Sequence, residues 1–98
     1  MSERAFKKEV ERAIDFYENF AGYPARRVHQ MMNRYPSEIE AISHLVTSAD
    51  LQQGFKVLRD GGHLDKTFEA LVVQFQSLFR TEVVQAAQWR LDNPYALL

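Results

Sequence analysis

The chain of 98 residues has no cysteine, only three prolines and four glycines, and a single tryptophan. Without cysteine there are no disulfides, no thiolate-ligated zinc and no thiol nucleophile. Neither sign of charge dominates. Lys plus Arg number 12 against 13 acids, and a net charge of −1 indicates neither a general polyanion binder nor an acidic tail. No apolar run approaches the roughly 18 residues of a membrane span, and the opening MSERAFKKEVER is not a signal peptide. The expected compartment is therefore the cytoplasm, with no membrane contact. No window reads as a strand, because short β-like runs such as Leu71-Val72-Val73 sit inside helical periodicity.

What is present is helix-forming and rich in core material: 46% of residues are hydrophobic, and seven are phenylalanine. A chain of this length buries upward of about 60% of its unfolded surface and makes one domain, 1–98. Over 3–21, Phe6, Val10, Ala13, Ile14, Tyr17, Phe20 and Ala21 recur with a 3.6-residue period, which predicts helix one. Gly22 ends it and Pro24 opens helix two, about 24–34, with Val28, Met31, Met32 and Tyr35 inward. Pro36 breaks the chain. Ser37-Glu38-Ile39-Glu40 is a capping box for helix three, which buries Ile39, Ile42, Leu45 and Val46. Thr47 or Ser48 is expected to cap helix four, with Leu51, Phe55 and Leu58 inward. Asp65 is expected to cap helix five, with Phe68, Leu71, Val72 and Phe75 inward. Thr81 is expected to cap helix six, with Val84, Ala87 and Leu91 or their neighbours inward, ahead of a short tail, 93–98. The fold class is all-α, a compact bundle of five or six short helices.

The stretch Arg59-Asp60-Gly61-Gly62-His63-Leu64-Asp65-Lys66 resembles a site at first sight. A phosphate loop needs a preceding strand and a Gly-Lys-Ser/Thr run, and a metal centre needs three or four ligands where His63 and Asp65 supply two. The better reading is a turn, with Gly61 left-handed, Leu64 as an apolar plug and Asp65 as the next cap. Helices four and five do not read as a DNA-binding pair. Residues 49–76 hold Lys56, Arg59 and Lys66 against Asp50, Asp60, Asp65 and Glu69, with Lys66, Glu69, Val73, Gln74 and Gln76 expected outward.

Helix two is the more informative segment. No acid occurs between Asn19 and Ser37, while Arg26, Arg27, His29 and Arg34 all do. Arg26, Arg27, Gln30, Asn33 and Arg34 fall on its outward face, side chains able to hold phosphates or base edges, or an acidic protein surface. The carboxylates Glu11, Asp15 and Glu18, and the Glu40–His44 pair, read as structural. No catalytic residue, cofactor, metal or small-molecule substrate is expected. Trp89, Tyr95, Leu97 and Leu98 are candidate interface residues, because Val83, Val84 and Trp89 place apolar groups on more than one side of helix six.

Gly54-Phe55 with Leu58, Gly62-His63-Leu64-Asp65-Lys66-Thr67-Phe68-Glu69-Ala70-Leu71-Val72, Leu78-Phe79 and Arg90-Leu91 together resemble a small helical module of hypothetical bacterial proteins. Its pattern is GF..L...G.LD.T.EALV, then LF, then A..RL, and the similarity covers about 20–92. The resemblance implies the fold and an accessory role, alone or attached to larger proteins, some nuclease-like or connected with mobile elements. It implies no established activity, and His63 stands where the pattern would carry a longer cation. The expected function is a non-enzymatic interaction module that binds a protein partner or itself, through the face of helix two or through helix six with the tail. The alternative is a nucleic-acid-binding accessory or regulatory protein, phage- or defence-related, using helix two.

Overall fold

The computed structural model describes residues 2–48 and 52–96. Among these residues there are six α-helices and no strand: α1 (Glu3–Ala21), α2 (Arg26–Arg34), α3 (Glu38–Thr47), α4 (Gln53–Asp60), α5 (Phe68–Gln74) and α6 (Thr81–Asp92). Two 3-10 turns, Leu64–Lys66 and Gln76–Leu78, bracket α5. The all-α bundle expected from periodicity is what forms.

Local chemistry explains most helix ends. The Ser2 hydroxyl accepts from the Ala5 N–H and starts α1. Gly22 closes it with φ +80°, its N–H donating to the Glu18 carbonyl. The capping box at Ser37 forms as expected, with the hydroxyl accepting from the Glu40 N–H. Three expected caps do not form. Thr47 is the last residue of α3 and donates back to the Ser43 carbonyl, while Ser48 is that helix's C-cap. The start of α4 at Gln53 has no side-chain cap, and Leu51 lies outside the described residues. Thr81 is already helical, behind Arg80. Asp65 sits inside the 3-10 turn, and Thr67 caps α5 instead by accepting from the Ala70 N–H.

The glycine turn is displaced by one residue from the expectation. Gly62, not Gly61, takes the left-handed conformation, with φ +80°. The His63 N–H donates to Leu58 O at 2.8 Å and the Gly62 N–H to Arg59 O at 3.0 Å, the paired bonds of a Schellman ending. Gly61 is small for a different reason: a Cβ there would run into the Phe20 ring.

The core has two parts. The larger gathers Phe6, Val10, Met31, Ala41, Ile42, Leu45, Val46, Leu71, Val72, Phe75, Val83 and Ala87 from every helix except α4. Phe6 meets Phe75 and Phe79 edge-on, both at 5.3 Å between centroids. The smaller part joins Tyr17, Ala25 and Leu58. Helix α5 is central, packing against α1, α3 and α6. That position overturns the outward placement of Glu69, which is only 4% exposed. The inward line of α6 is Val83, Ala87 and Arg90, with Val84 and Leu91 half-buried.

Arg90 explains how Glu69 is tolerated inside. Its Nη1 donates to Glu69 Oε2 at 2.8 Å and to Leu45 O at 3.3 Å, and its Nη2 donates to Ser48 O at 2.8 Å. One guanidinium thus neutralises α5 and ties α6 to the end of α3. Burial pushes the Glu69 carboxyl above the usual carboxylate range, and the Arg90 guanidinium opposes that shift.

Candidate functional site

The five outward residues expected on α2 are all exposed: Arg26, Arg27, Gln30, Asn33 and Arg34 share one side of the helix, with His29 at its edge. Met31 is buried behind them, and Val28, Met32 and Tyr35 are half-buried. The face exists because nine helical residues divide cleanly into an apolar side and a side of cations and amides.

The helix has no cap from its own preceding residue Ala25. The Glu18 carboxylate of α1 takes over, accepting from the Ala25 N–H at 2.8 Å and from His29 Nε2 at 3.0 Å through the same oxygen. A carboxylate there also complements the positive end of the helix dipole. The Ala25 N–H first, and His29 second, hold Glu18 below its ordinary value of 4.5. In the sequence Glu18 reads only as one of three flank carboxylates, with Glu11 and Asp15. Nothing local marks it, because its partners lie 7 and 11 residues away. Its position also absorbs His29, leaving the arginines as the cationic groups of the face. Arg26 and Arg34 form no ion pair with any described residue.

Beside the first turn of α2 lies a half-open cleft of about 440 Å³. Its apolar walls come from Ile14 and Tyr17 of α1, Val28 of α2, Leu45 and Val46 of α3, Phe55 and Leu58 of α4, and Phe68 of α5. Arg26, Arg27 and Lys66 also line it, and among the described residues Glu69 is its one carboxylate, already engaged by Arg90. Tyr17 and Tyr23 close one side with their hydroxyls 2.9 Å apart, and burial together with that bond pushes the Tyr17 phenol well above its ordinary range. Sequence reading did not find the cleft. It is a gap between five elements, and no segment carries its signature.

The structure therefore divides the α2 candidates: Arg26 and Arg27 reach both the open face and the cleft, whereas Gln30, Asn33 and Arg34 belong to the face alone.

The other candidate surface is reduced. Trp89 is 51% exposed, but its neighbours on the outer side of α6 are the exposed polar residues Gln85, Gln88 and Asp92. Val83 and Ala87 are buried and Val84 is half-buried, so on α6 Trp89 is the large apolar side chain left exposed among the described residues. Tyr95 is 65% exposed, with the Arg59 guanidinium 4.9 Å from its ring centroid. Arg59 also donates to Pro94 O at 2.9 Å and to Asp60 at 2.8 Å, so the tail is pinned to the end of α4. Leu97 and Leu98 lie outside the described residues.

The described residues contain no cluster of three or more His, Asp or Glu side chains able to hold a metal, and no helix long and apolar enough to cross a membrane. No family model, curated protein or solved structure matches the chain. The residues of the GF..L...G.LD.T.EALV, LF and A..RL pattern occupy structural positions. Its threonine is the α5 cap Thr67, and its glutamate and arginine are the buried pair Glu69–Arg90.

Proposed function

We propose that the protein is a non-enzymatic interaction module that binds an acidic region of a protein partner through the outward face of α2. The observation that carries this is the composition of that face. Three arginines and two amides stand exposed on one nine-residue helix, and the Glu18 carboxylate is occupied at the helix start by the Ala25 N–H and His29. Arginine presents planar forked donors that match carboxylates in pairs.

Nucleic acid is the second reading, favoured by the same cationic face. Three arginines fall short of the roughly 6–10 phosphate contacts that give strong binding to a duplex, and the net charge of −1 adds no steering toward it. An apolar cleft at the end of the face also fits a protein surface better than a phosphate backbone.

Fluorescence anisotropy with two labelled probes of equal charge, a glutamate-rich peptide and a DNA duplex, tests the choice. The peptide is expected to bind at low salt and to lose about tenfold or more in affinity with Arg26→Glu plus Arg34→Glu. Binding of the duplex alone, falling steeply with salt, would reverse the assignment.

A further inference from the structure

We infer that the cleft beside α2 is the apolar half of this docking site and that its occupant is an acidic amphipathic helix of the partner. The inference rests on the α2 reading and adds what the arginine face alone does not specify: a row of apolar anchors. Three observations lead there.

The first is size and lining. A half-open volume of about 440 Å³ falls within the roughly 300–1,000 Å³ typical of binding clefts, and its walls are almost wholly apolar. It is open along one side rather than closed around a small molecule, which suits a row of side chains projecting from a helix at i, i+3, i+4 and i+7.

The second is charge. Arg26, Arg27 and Lys66 line the cleft, the arginines from the first turn of α2 and the lysine from the 3-10 turn before α5. The Lys66 Nζ lies over the Phe16 ring, 5.6 Å from the centroid, a cation held on an aromatic face. Among the described residues the one carboxylate lining the cleft, Glu69, is only 4% exposed and paired with Arg90. An entering helix therefore meets apolar walls and a positive rim, the complement of apolar anchors flanked by Asp or Glu.

The third is continuity. Arg26 and Arg27 line the cleft and also begin the exposed face that continues to Arg34. A helix lying in the cleft can place its acidic flank along that face without any change of fold.

The test uses the full chain and three designed peptides of equal length, read by titration calorimetry. One is an acidic helix with leucines at i, i+3 and i+7; one has the leucines replaced by serine; one keeps the leucines but has lysine for every acid. The acidic leucine peptide is expected to bind most tightly, with a loss of about tenfold in Kd for each leucine removed. Gly54→Leu narrows the cleft without touching its charge. Among the described residues a Cβ at Gly54 meets Tyr17 Cε1 at an ordinary 3.7 Å, and the unfolding midpoint of the variant, with Gly54→Ala as the smaller companion, is measured so that binding is compared between folded chains. Gly54→Leu is expected to weaken the leucine peptide about tenfold and leave the serine peptide as it was.

Equal binding of the leucine and serine peptides, insensitive to Gly54→Leu but lost with Arg26→Glu plus Arg34→Glu, would overturn this inference and leave the α2 reading standing. If no acidic peptide bound, both would fall. Equal binding of the lysine peptide would reject the acidic occupant. Displacement of the leucine peptide by dodecanoate at comparable concentration would assign the cleft to a small amphiphile. A dimer in light scattering that Gly54→Leu dissociates would assign it to a second copy. Either result would overturn the inference.

Discussion

Arg90→Met is expected to destabilise the protein by about 3–5 kcal/mol, because it leaves the Glu69 carboxylate buried with no opposite charge. The same substitution strips donors from Leu45 O and Ser48 O, which loosens the attachment of α6 to the end of α3. A domain of this size has roughly 5–15 kcal/mol in total, so the single variant should sit near the edge of folding. The informative comparison is the double variant Glu69→Leu plus Arg90→Met. Removing both charges eliminates the unpaired carboxylate, and replacing a buried ion pair with apolar groups is often close to neutral. Here Leu45 O and Ser48 O also lose the hydrogen bonds from Arg90, so the double variant should recover most but not all of the loss. Urea denaturation measures both. A double variant no more stable than the single would mean that the guanidinium acts chiefly on the α3 carbonyls.

Phe6→Ala is expected to cost a further large amount, about 3–5 kcal/mol, at the other end of the core. Phe6 is 1% exposed and its ring edges fit both Phe75 and Phe79, so truncation leaves a cavity and removes two aromatic contacts at once. Phe20→Ala on the same helix is the control. Phe20 is 45% exposed, stacked on Phe16 and touching His63, and its loss should cost less than about 1.5 kcal/mol. Similar losses at the two positions would mean that α1 is held by its outer aromatic group as much as by its core stripe.

These residues also show how far the sequence could be read. Phe6, Val10 and Tyr17 announce themselves because α1 is long and amphipathic, and one face of it meets the core. The Ser37 capping box is local chemistry within four residues, and it forms as written. Asp65 and Thr67 are both competent caps in the same turn. The choice of Thr67 depends on the 3-10 turn that absorbs Asp65, which short-range propensity does not specify. Glu69 is the clearest failure of periodicity. A charged residue one position from the apolar stripe reads as outward, yet α5 is surrounded by three helices and its neutralising partner is 21 residues away.

The candidate site divides along the same line. The α2 face was visible because it is one helix with two chemistries, and an exposed face needs no tertiary partner to define it. The cleft was not, because its walls come from five helices whose spacing is set by packing. Trp89 suggests an apolar surface because, with Val83 and Val84, it puts apolar groups on more than one side of helix six. Its exposed neighbours Gln85, Gln88 and Asp92 make it an isolated aromatic on a polar side.

The most direct measurement is a map of backbone amide chemical shifts as the acidic leucine peptide is titrated into labelled protein. Docking on α2 and the cleft predicts saturable changes at Arg26, Arg27, Gln30 and Arg34 together with Ile14, Tyr17, Phe55 and Leu58. Changes confined to α6 and the tail around Trp89 and Tyr95, or none at peptide concentrations far above those of the protein, would contradict it.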